Sequence, residues 1–525
     1  MQDPVNRIAN RGQRFSPVVT SIIYAAVLLL SACATPLKPQ PQPASQAIPT
    51  ATETVAWESL RQNLPDLESS SWFSIFDTGF EDLRWRLAMI DTACVSLDLQ
   101  YFLWLEDAVG ALLFERLLLA ADRGVRVRLL VDDSFLSGED PVVLALDVHP
   151  NVEVRIFNPY QLRSDNMLVR YINNLNDFGR TNHRMHNKLI VADTEMAIVG
   201  GRNIADEYFG FGTARNFRDF GVITTGAVVP ELAGGFDSYW NSGWAFPVTA
   251  VDQQQDNADD LKELRQELRA RDSILSAWQV DATAGLHDWS DEWAVLGRSM
   301  LPGEAEVLQD PPHFEGATPP VLVAHRVRGA IHQSDDEIQG ISAYLIPTPS
   351  LVETIRERHE QGVRIRLLTN SLASTNHVPA HAAFRHHRKQ LLEAGAELHV
   401  FRPDGLDRAQ YEAPGFMAEQ FGLHGKVLIF DDDRVYIGTL NLDPRSMVLN
   451  TEMGLLIHSP AVNAAVREAF APNFSLDNSW RVEHDEDGQL IWRSHDGVLT
   501  LQPAGGFWRR VADFFYGLFP IDSQM

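Results

Sequence analysis

The most constraining feature of this sequence is an internal repeat at a fixed spacing. The segment Gly-Val-Arg-Val-Arg-Leu-Leu at residues 124–130 recurs as Gly-Val-Arg-Ile-Arg-Leu-Leu at residues 362–368, which lie 238 positions further along. The same spacing relates a His-x-Lys-x4-Asp motif at residues 186–193 to a second copy at residues 424–431. Self-similarity at a fixed spacing indicates that the chain contains two structurally related halves.

Each half carries the pattern of an alternating α/β fold. Helices are predicted over residues 110–123 and 350–361, and each of them ends at a glycine, which favours helix C-termini. The apolar, β-branched runs that follow are typical of buried strands, and earlier strands are predicted over residues 94–104 and 338–346. Because strand–helix–strand units of this kind form parallel sheets, the sequence predicts an α/β fold in both halves.

The composition changes between and beyond the two halves. Residues 252–271 are acidic, glutamine-rich and helix-prone, and a proline-rich stretch follows them, which is typical of a domain boundary. We therefore predict a lipoprotein signal peptide at 1–32, a Pro/Gln/Ala-rich tether at 33–59, an N-terminal domain with the first motif at 60–250, a connecting segment at 251–320, a C-terminal domain with the second motif at 321–478, and a tail with an aromatic amphipathic segment at 479–525.

The N-terminus carries the pattern of an exported lipoprotein. Three arginines precede an apolar run at residues 18–30 that is too short to span a bilayer comfortably, and Leu-Ser-Ala-Cys33 follows at once. This ending resembles the bacterial lipobox, in which the cysteine becomes the lipidated first residue; the alternative is a short membrane anchor or a buried core helix. The tether favours the lipoprotein, because such sequence stays extended and flexible. We predict a lipid-anchored protein of the cell envelope that faces the periplasm, at the outer membrane if the host has two membranes.

The charge balance argues against nucleic acid as a partner. Lys and Arg total 44 against 70 Asp and Glu, and the formal net charge of -26 repels nucleic-acid backbones at long range. The two cysteines are too few for a disulfide framework or a cysteine-rich metal site.

Both motifs place side chains suited to phosphodiester chemistry on one face of a strand. Side chains alternate along an extended strand, so His186 lies beside Lys188, and His424 lies beside Lys426. A lone histidine on an apolar strand is more often a core residue, but two copies at one spacing favour catalysis. A phosphodiester needs a nucleophile, a proton donor for the leaving oxygen and fixed positive charge for the non-bridging oxygens. Two such strands facing each other supply all three.

Further polar residues follow each motif. Asn203 and Asn441 end Gly-[Gly/Thr]-x-Asn copies that keep the 238-residue spacing, and they could add amide donors to the phosphate oxygens. Asp219 and Glu452 could each accept the second ring proton of a histidine and so fix its tautomer.

The aspartates that end the motifs, Asp193 and Asp431, sit where each strand should turn. We count them with the catalytic motif, and we assign them to structural hydrogen bonds or ion pairs rather than to proton transfer. We expect no metal and no cofactor, because the two lysines and two asparagines already supply the charge and the donors that a cation would provide.

Three weaker features each allow two interpretations. The histidines within residues 377–387 include a pair four apart, a possible zinc geometry, but we prefer a headgroup-side or solvated face and single out His381 for testing. The aromatic segment 507–519 could lie in a bilayer interface or pack on the body of the protein. Residues 161–180 could form a lid near the site or an ordinary surface loop.

The paired motifs and their surroundings resemble the phospholipase D superfamily, and in particular its bacterial cardiolipin synthase branch. The resembling stretches are Gln-Tyr-Phe-Leu-Trp at 100–104, Phe-Asn-Pro at 157–159, Arg-Met-His-Asn-Lys at 184–188, Gly-Gly-Arg-Asn at 200–203, Thr-Asn-Ser-Leu at 369–372 and Leu-Asp-Pro-Arg-Ser at 442–446. The resemblance implies two pseudo-twofold-related α/β/α sandwich domains that share one active site at their interface. It also implies metal-independent catalysis through a phosphohistidine, with His186 as nucleophile and His424 as general acid and base.

The resemblance implies a phosphatidyltransferase or phospholipase that acts on membrane glycerophospholipids, and a cardiolipin synthase-like joining of two lipids is its most concrete version. A nuclease or other non-lipid phosphodiesterase would use the same residues, but the acidic charge and the predicted anchor argue against it. A non-catalytic lipoprotein scaffold is the third alternative, which the intact motifs in both halves disfavour. We expect a monomer whose partners are membrane phospholipids.

Overall fold

The computed structural model describes residues 38–49, 57–134, 136, 140–164, 166–251, 257–270, 287–312 and 322–519. The predicted signal peptide and Cys33 lie outside these ranges, so both stay predictions. None of the helices within the described ranges is long and apolar enough to cross a membrane.

The first half is built around a mixed sheet. Its strands in chain order are β1 Ser71–Phe76, β2 Ser96–Tyr101, β3 Arg126–Asp132, β4 Val152–Phe157, β5 Leu189–Ala192, β6 Met196–Gly200, β7 Arg215–Arg218, β8 Gly221–Gly226 and β9 Ala245–Pro247. Across the sheet the order is β9-β4-β3-β2-β5-β6-β8-β1. Strands β2, β3 and β4 are parallel and the other neighbours are antiparallel.

The second half repeats this arrangement. Its strands are β10 Leu301–Gln309, β11 Glu337–Ser342, β12 Arg364–Asn370, β13 Glu397–Phe401, β14 Gln420–Leu423, β15 Lys426–Phe430, β16 Arg434–Gly438, β17 Met453–His458, β18 Ser479–His484, β19 Leu490–Ser494 and β20 Gly497–Leu499. The order is β10-β17-β16-β15-β11-β12-β13-β18-β19-β20, and β11, β12 and β13 are parallel. Each strand from β10 to β13 therefore occupies the position of its counterpart from β1 to β4.

Helices cover the sheets and connect the strands. The α-helices are α1 Glu58–Arg61, α2 Gly79–Thr92, α3 Ala108–Asp122, α4 Asp140–Asp147, α5 Met167–Asn173, α6 Phe178–Thr181, α7 Asp206–Phe209, α8 Val229–Trp240, α9 Val248–Val251, α10 Ala258–Ala270, α11 Ser290–Ser299, α12 Leu322–His332, α13 Pro349–Glu360, α14 Val378–Glu393, α15 Pro460–Phe470 and α16 Phe507–Tyr516. Short 3-10 turns occupy Leu175–Asp177, Arg408–Gln410 and Ala471–Phe474, and a π-helical turn occupies Arg445–Leu449. The predicted helices at 110–123 and 350–361 correspond to α3 and α13.

Alternate residues of the central strands face hydrophobic cores on opposite sides of each sheet. Leu189 faces a core that both halves share, whereas Ile190 faces an outer core of the first half. In the second half, Val427 faces the shared core and Leu428 faces a separate outer core. Because each sheet is buried on both faces, the predicted pair of α/β/α layers is confirmed.

Two strand pairings join the halves. Strands β1 and β10 pair antiparallel, so that the two sheets run together into one sheet of 18 strands. Strands β7 and β14 form a separate parallel pair, which brings the segments after Arg218 and Leu423 side by side. The segment predicted as a connection thus contributes β10, which pairs with β17 and corresponds to β1. Its start, Leu-Pro-Gly, resembles a loop in sequence.

The predicted tether contacts the first half over its described part. Residues 38–49 lie along the first half, where the amide of Ala47 donates to Asp237 Oδ2 at 2.7 Å and the buried Arg128 donates to the carbonyl of Ser45 at 2.9 Å. Residues 38–49 therefore contact the first half in this structure, and the predicted flexibility of the tether stays a prediction. Proline-rich chain leaves its carbonyls without intrasegment partners, and buried arginines of the first half bind them.

Candidate active site

His186 lies in the extended segment just before β5 rather than within the strand. Its backbone amide donates to the carbonyl of Thr451 at 2.9 Å, and its imidazole is buried. Nδ1 of the ring lies 2.9 Å from Oε2 of Glu452, and the ring of Phe102 packs edge-on against it at 5.1 Å. The backbone bond to Thr451 fixes the segment, and the contact of Nδ1 with Glu452 orients the ring, so that Nε2 is the nitrogen left for chemistry.

His424 occupies the corresponding position between β14 and β15. Its backbone amide donates to the carbonyl of Arg218 at 2.7 Å, and Nδ1 lies 2.6 Å from Oδ2 of Asp219. The rings of Tyr208 and Phe217 pack against the imidazole at 5.0 and 5.3 Å. His424 is therefore held like His186, with Nδ1 occupied and Nε2 available.

The carboxylate partners cross between the two halves. His186 belongs to the first half and its partner Glu452 to the second, whereas His424 belongs to the second half and its partner Asp219 to the first. The backbone hydrogen bonds from His186 to Thr451 and from His424 to Arg218 also cross between the halves. Each imidazole is thus oriented by the opposite half, so a correctly held pair of histidines requires both halves docked together.

Both motif lysines are buried beside the histidines. Lys188 Nζ donates to the carbonyl of His186 at 2.6 Å, and Lys426 Nζ lies 3.0 Å from Nδ1 of His424. Burial lowers the pKa of Lys426 to about 8 and the pKa of Lys188 well below its ordinary value. The charges of both lysines act on each histidine, which places the four side chains within electrostatic reach of one another.

The two histidine–carboxylate pairs differ in how many protons they hold. Burial, followed by the lysine charges, lowers the pKa of His186 and lowers that of His424 to about 3. Burial opposes ionisation of Asp219, but the hydrogen bond and charge of His424 outweigh it and lower the pKa of Asp219 to about 2. Burial raises the pKa of Glu452 to about 8. Near neutral pH the His186–Glu452 pair therefore holds one proton more than the His424–Asp219 pair.

The two motif asparagines are buried near the histidines. Asn203 Nδ2 donates to the hydroxyl of Tyr208 at 3.0 Å, and Asn441 Nδ2 lies 3.5 Å from the hydroxyl of Ser446. Their amide oxygens have no hydrogen-bond partner among the described residues. Because their amino groups contact neighbouring hydroxyls, donation from Asn203 and Asn441 to a phosphate stays a prediction.

Asp193 and Asp431 lie at the far ends of β5 and β15, in left-handed turns with φ of 54° and 49°. Asp193 accepts the backbone amides of Val95 and Ser96, each at 2.8 Å, and Asp431 accepts the amide of Asp336 at 2.9 Å. A strand of four or five residues separates each aspartate from its histidine, roughly 13 Å or more in extended chain. Both carboxylates therefore bind the start of a neighbouring strand and lie away from the imidazoles.

Sequence reasoning missed several residues that surround the histidines. The hydroxyl of Thr439 donates to Oε2 of Glu452 at 2.5 Å. The sequence feature that could have identified Thr439 is its place at the variable position of the second Gly-[Gly/Thr]-x-Asn copy. Arg445 adds positive charge near His186 and donates to Asn182 at 3.0 Å. The sequence feature that could have identified Arg445 is its position in the Leu-Asp-Pro-Arg-Ser stretch. The aromatic rings around both histidines had no distinguishing pattern.

His381 does not lie free on a surface. It is buried, and its Nδ1 lies 2.7 Å from Oδ1 of Asp513, which belongs to α16. No group of three or more potential metal ligands occurs among the residues that the structure describes.

We predict that activity is independent of added metal, because buried ammonium groups already stand beside both imidazoles. The purified protein should keep full activity after exhaustive treatment with EDTA and dialysis. Replacing His386, an exposed neighbour of His381, by alanine should likewise change nothing. Loss of activity on chelation with restoration by zinc would contradict this expectation.

Known proteins resemble the chain over both motifs. A family model described as "Cardiolipin synthase, PLD-like domain" matches residues 87–240 and 327–473. The chain is 34% identical to cardiolipin synthase C of Escherichia coli (strain K12) over 453 residues, which cover 84% of this chain and 92% of that protein. It is 30% identical over 429 residues to an uncharacterized protein of Helicobacter pylori (strain ATCC 700392 / 26695), covering 81% of this chain and 83% of that protein.

Among solved structures, the phosphatidylserine synthase of Haemophilus influenzae Rd KW20 has a similar fold. The TM-score is 0.54 at 14% sequence identity, and the match covers 82% of this chain and 92% of that chain. At this identity the likeness concerns the fold alone.

Proposed function

Because this chain belongs to the phospholipase D-like family described as cardiolipin synthase, PLD-like domain, we propose that it transfers a phosphatidyl group between membrane glycerophospholipids, with hydrolysis as the competing outcome. The chain is an enzyme of the phospholipase D superfamily, and its relative in Escherichia coli is named a cardiolipin synthase. Joining two phospholipids is accordingly the most concrete form of the proposed reaction.

The observation that carries the proposal is the buried pair of imidazoles, each oriented through Nδ1 by a carboxylate from the opposite half. This arrangement leaves two Nε2 atoms in one cluster with two ammonium groups. One imidazole can attack phosphorus while the other protonates the leaving oxygen. Lys188 and Lys426 can bind the non-bridging oxygens as negative charge develops on them.

The proposed reaction has two displacements at phosphorus. In the first, Nε2 of one histidine forms a bond to phosphorus, the bond to the headgroup oxygen breaks, and the other histidine gives its proton to that oxygen. In the second, an incoming alcohol or water loses a proton to the same histidine while its oxygen attacks phosphorus, and the phosphorus–nitrogen bond breaks. A lipid alcohol gives a new phosphodiester, and water gives phosphatidic acid.

The family resemblance and the protonation of the two pairs favour different histidines as the one that forms the covalent bond. The family resemblance assigns the nucleophile to His186. The extra proton held by the His186–Glu452 pair instead suits proton donation from that side, with His424 as the nucleophile. The chemistry of the cluster is the same in both cases, and mapping of the phosphohistidine distinguishes them.

Defined phospholipids test the proposed function directly. The purified protein is incubated with vesicles of phosphatidylglycerol or phosphatidylethanolamine, with and without glycerol as an added acceptor, and the products are identified by mass spectrometry. Cardiolipin or a phosphatidyl ester of the added alcohol supports transfer, whereas phosphatidic acid alone shows hydrolysis. Cleavage of bis(p-nitrophenyl) phosphate or DNA without conversion of any phospholipid would contradict a lipid substrate.

The pKa values of Lys426 and Glu452 predict an alkaline limit to activity. Burial places both pKa values at about 8, so two protons leave the cluster as the pH rises through that value. We expect log(kcat/KM) to fall with a slope approaching -2 above about pH 8, since both groups act in their protonated forms. Lys426→Arg should keep its charge and reduce the slope to about -1, whereas the exposed Lys389→Arg control should leave it unchanged. A profile that stays flat to about pH 10 would refute this assignment.

We also propose that the mature protein is anchored to a membrane through lipidated Cys33, on the sequence argument alone. Intact-mass analysis of protein extracted from membranes should show a chain that begins at Cys33 and carries acyl groups. Cys33→Ser should remain unprocessed and lack the acyl mass. A mature N-terminus without lipid, or one that retains Arg7, would show that the leader has another role.

A further inference from the structure

We propose that α16, the helix Phe507–Tyr516, is a docking surface for an anionic phospholipid bilayer that sets the active site beside its substrate. The aromatic face of this helix and the turn after it consists of large apolar side chains that are exposed to between 44 and 78%: Phe507, Trp508, Phe514, Phe515, Tyr516, Leu518 and Phe519. The inference rests on the proposed function for its biological purpose, and its test does not depend on turnover.

The helix is docked on the protein through its polar side. Asp513 is fully buried, where it accepts His381 Nδ1 at 2.7 Å, Arg385 at 3.1 Å and Gln502 Nε2 at 3.0 Å. Arg509 reaches inward to the carbonyl of Leu372 at 2.9 Å. An amphipathic helix on a water-soluble surface normally packs its apolar side inward. Here the buried ion pairs fix the opposite orientation, so the aromatic face cannot turn towards the protein without breaking them.

The charge around the aromatic face complements an anionic surface. Helices α14 and α16 pack together and carry Arg385, Arg388, Lys389, Arg509 and Arg510 against Glu393 and Asp513. Of these cations, Lys389 and Arg510 are exposed and form the cationic rim, whereas Arg388 is buried and Arg385 and Arg509 point inward to Asp513 and Leu372. This helix pair is therefore locally cationic within a chain of net charge -26. Aromatic rings flanked by Lys and Arg are typical of helices that lie in the headgroup region, where the rings enter the acyl boundary and the cations meet lipid phosphates. A protein partner would need no such cationic rim.

A short chain of contacts connects α16 to the catalytic cluster. Ala504, just before the helix, bridges to Leu372, and Arg509 binds the carbonyl of Leu372. Asn370, two residues earlier, donates to the carbonyl of Leu423 at 2.7 Å and accepts its amide at 2.9 Å. Leu423 directly precedes His424. A bilayer bound on the aromatic face would therefore be separated from the loop that leads into the active site by the segment 370–372 and by one helix diameter of about 10–12 Å.

Trp508 provides a direct probe of this contact. The other tryptophans of the described residues are buried or partly buried, so Trp508 is the most exposed tryptophan in the part of the chain that the structure describes. The full chain and its Trp508→Phe variant are mixed with vesicles of phosphatidylcholine and phosphatidylglycerol whose acyl chains carry bromine. We expect stronger quenching of the full chain, because the variant keeps the face apolar but lacks the indole. Any anchor at the N-terminus is the same in both proteins, so equal quenching would overturn the proposal.

Two further measurements identify the occupant. The difference in quenching should grow with the fraction of phosphatidylglycerol and shrink in high salt, because the cationic rim contributes to binding. Without lipid, Trp508 should stay accessible to aqueous acrylamide at every protein concentration. Protection that rises with protein concentration would assign the aromatic face to a second copy of the chain and overturn the proposal.

An activity measurement separates this inference from the proposed function. The double variant Trp508→Ser/Phe515→Ser should lose about tenfold or more of its rate on vesicles, and keep its rate on a short-chain phospholipid dissolved as monomers. Val295→Ser is the matched control, since Val295 is a helical residue with the same 57% exposure as Phe515. Equal rates of the double variant and the unchanged chain on vesicles would contradict membrane docking. Quenching of Trp508 without any phospholipid turnover would instead contradict the proposed function.

Discussion

Replacing either His186 or His424 by alanine is expected to lower turnover of phospholipid by at least about 10²–10⁴-fold, because general acid–base assistance alone contributes that much. One of the two variants also loses the atom that bonds to phosphorus, so its residual activity should be the lower. The exposed His495→Ala is the matched control and should keep normal activity. Thermal unfolding of all three variants checks that a lost imidazole has not loosened the contact between the halves.

The two histidine variants should fail in different ways. The variant that lacks the nucleophile should form no phosphoryl-enzyme under rapid quench. The variant that lacks the acid should still accumulate label from a substrate whose leaving group needs no protonation, such as p-nitrophenolate. Label at residue 186 would support the family resemblance, and label at residue 424 would support the proton count of the two pairs. Label on neither histidine, or normal activity of His424→Ala, would rule out the paired-histidine reaction.

Much of the fold could be predicted because its signals are local and occur twice. Residues 124–130 and 362–368 each follow a helix and begin a central parallel strand, as their periodicity indicates. The glycines that end the two helices, Gly124 and Gly362, adopt positive φ of 96° and 95°. Repetition at one spacing supported both assignments, since an accidental pattern rarely recurs in register.

The partners of the histidines could not be paired from sequence. Asp219 follows His186 within the first half and Glu452 follows His424 within the second, so proximity along the chain suggests the opposite pairing from the observed one. The exchange arises because β7 and β14 pair across the halves and carry Asp219 to the His424 loop. Such a long-range pairing leaves no periodic signal in either strand.

The orientation of α16 could not be predicted from the sequence either. Its amphipathic pattern allows either an inward or an outward aromatic face, and hydrophobicity alone favours the inward one. The outcome depends on Asp513 meeting His381 and Arg385, which lie 132 and 128 residues away. The stability of that buried cluster, rather than the apolar pattern, sets which face meets the surroundings.

The crossed carboxylates give the second large expected effect. In Asp219→Asn, an amide that keeps the shape of the side chain replaces a carboxylate whose pKa is about 2 and which is therefore ionised at every working pH. The amide can donate to Nδ1 of His424 and so hold the ring proton on Nε2, which blocks attack by that nitrogen if His424 is the nucleophile. If His424 is instead the acid and base, the variant loses the negative charge that stabilises its imidazolium form. The equivalent change in a Ser-His-Asp triad lowers kcat about 10⁴-fold, and we expect a loss of about 10³–10⁴-fold here.

Glu452→Gln should be much less damaging near neutral pH than Asp219→Asn. Glu452 has a pKa of about 8, so it is mostly protonated at pH 7, and glutamine preserves both the neutral charge and a hydrogen-bond donor towards His186. We expect a loss of about tenfold at pH 7, the cost of roughly one altered hydrogen bond. Above pH 8 the fall of log(kcat/KM) with pH should also be less steep in the glutamine variant, because one of the two groups that lose a proton has been replaced.

Rates for both variants at pH 6, 7 and 9 measure the difference, and unfolding midpoints control for stability. Equal losses in the two variants at pH 7 would show that both carboxylates are ionised, and that the unequal proton count of the two pairs is wrong.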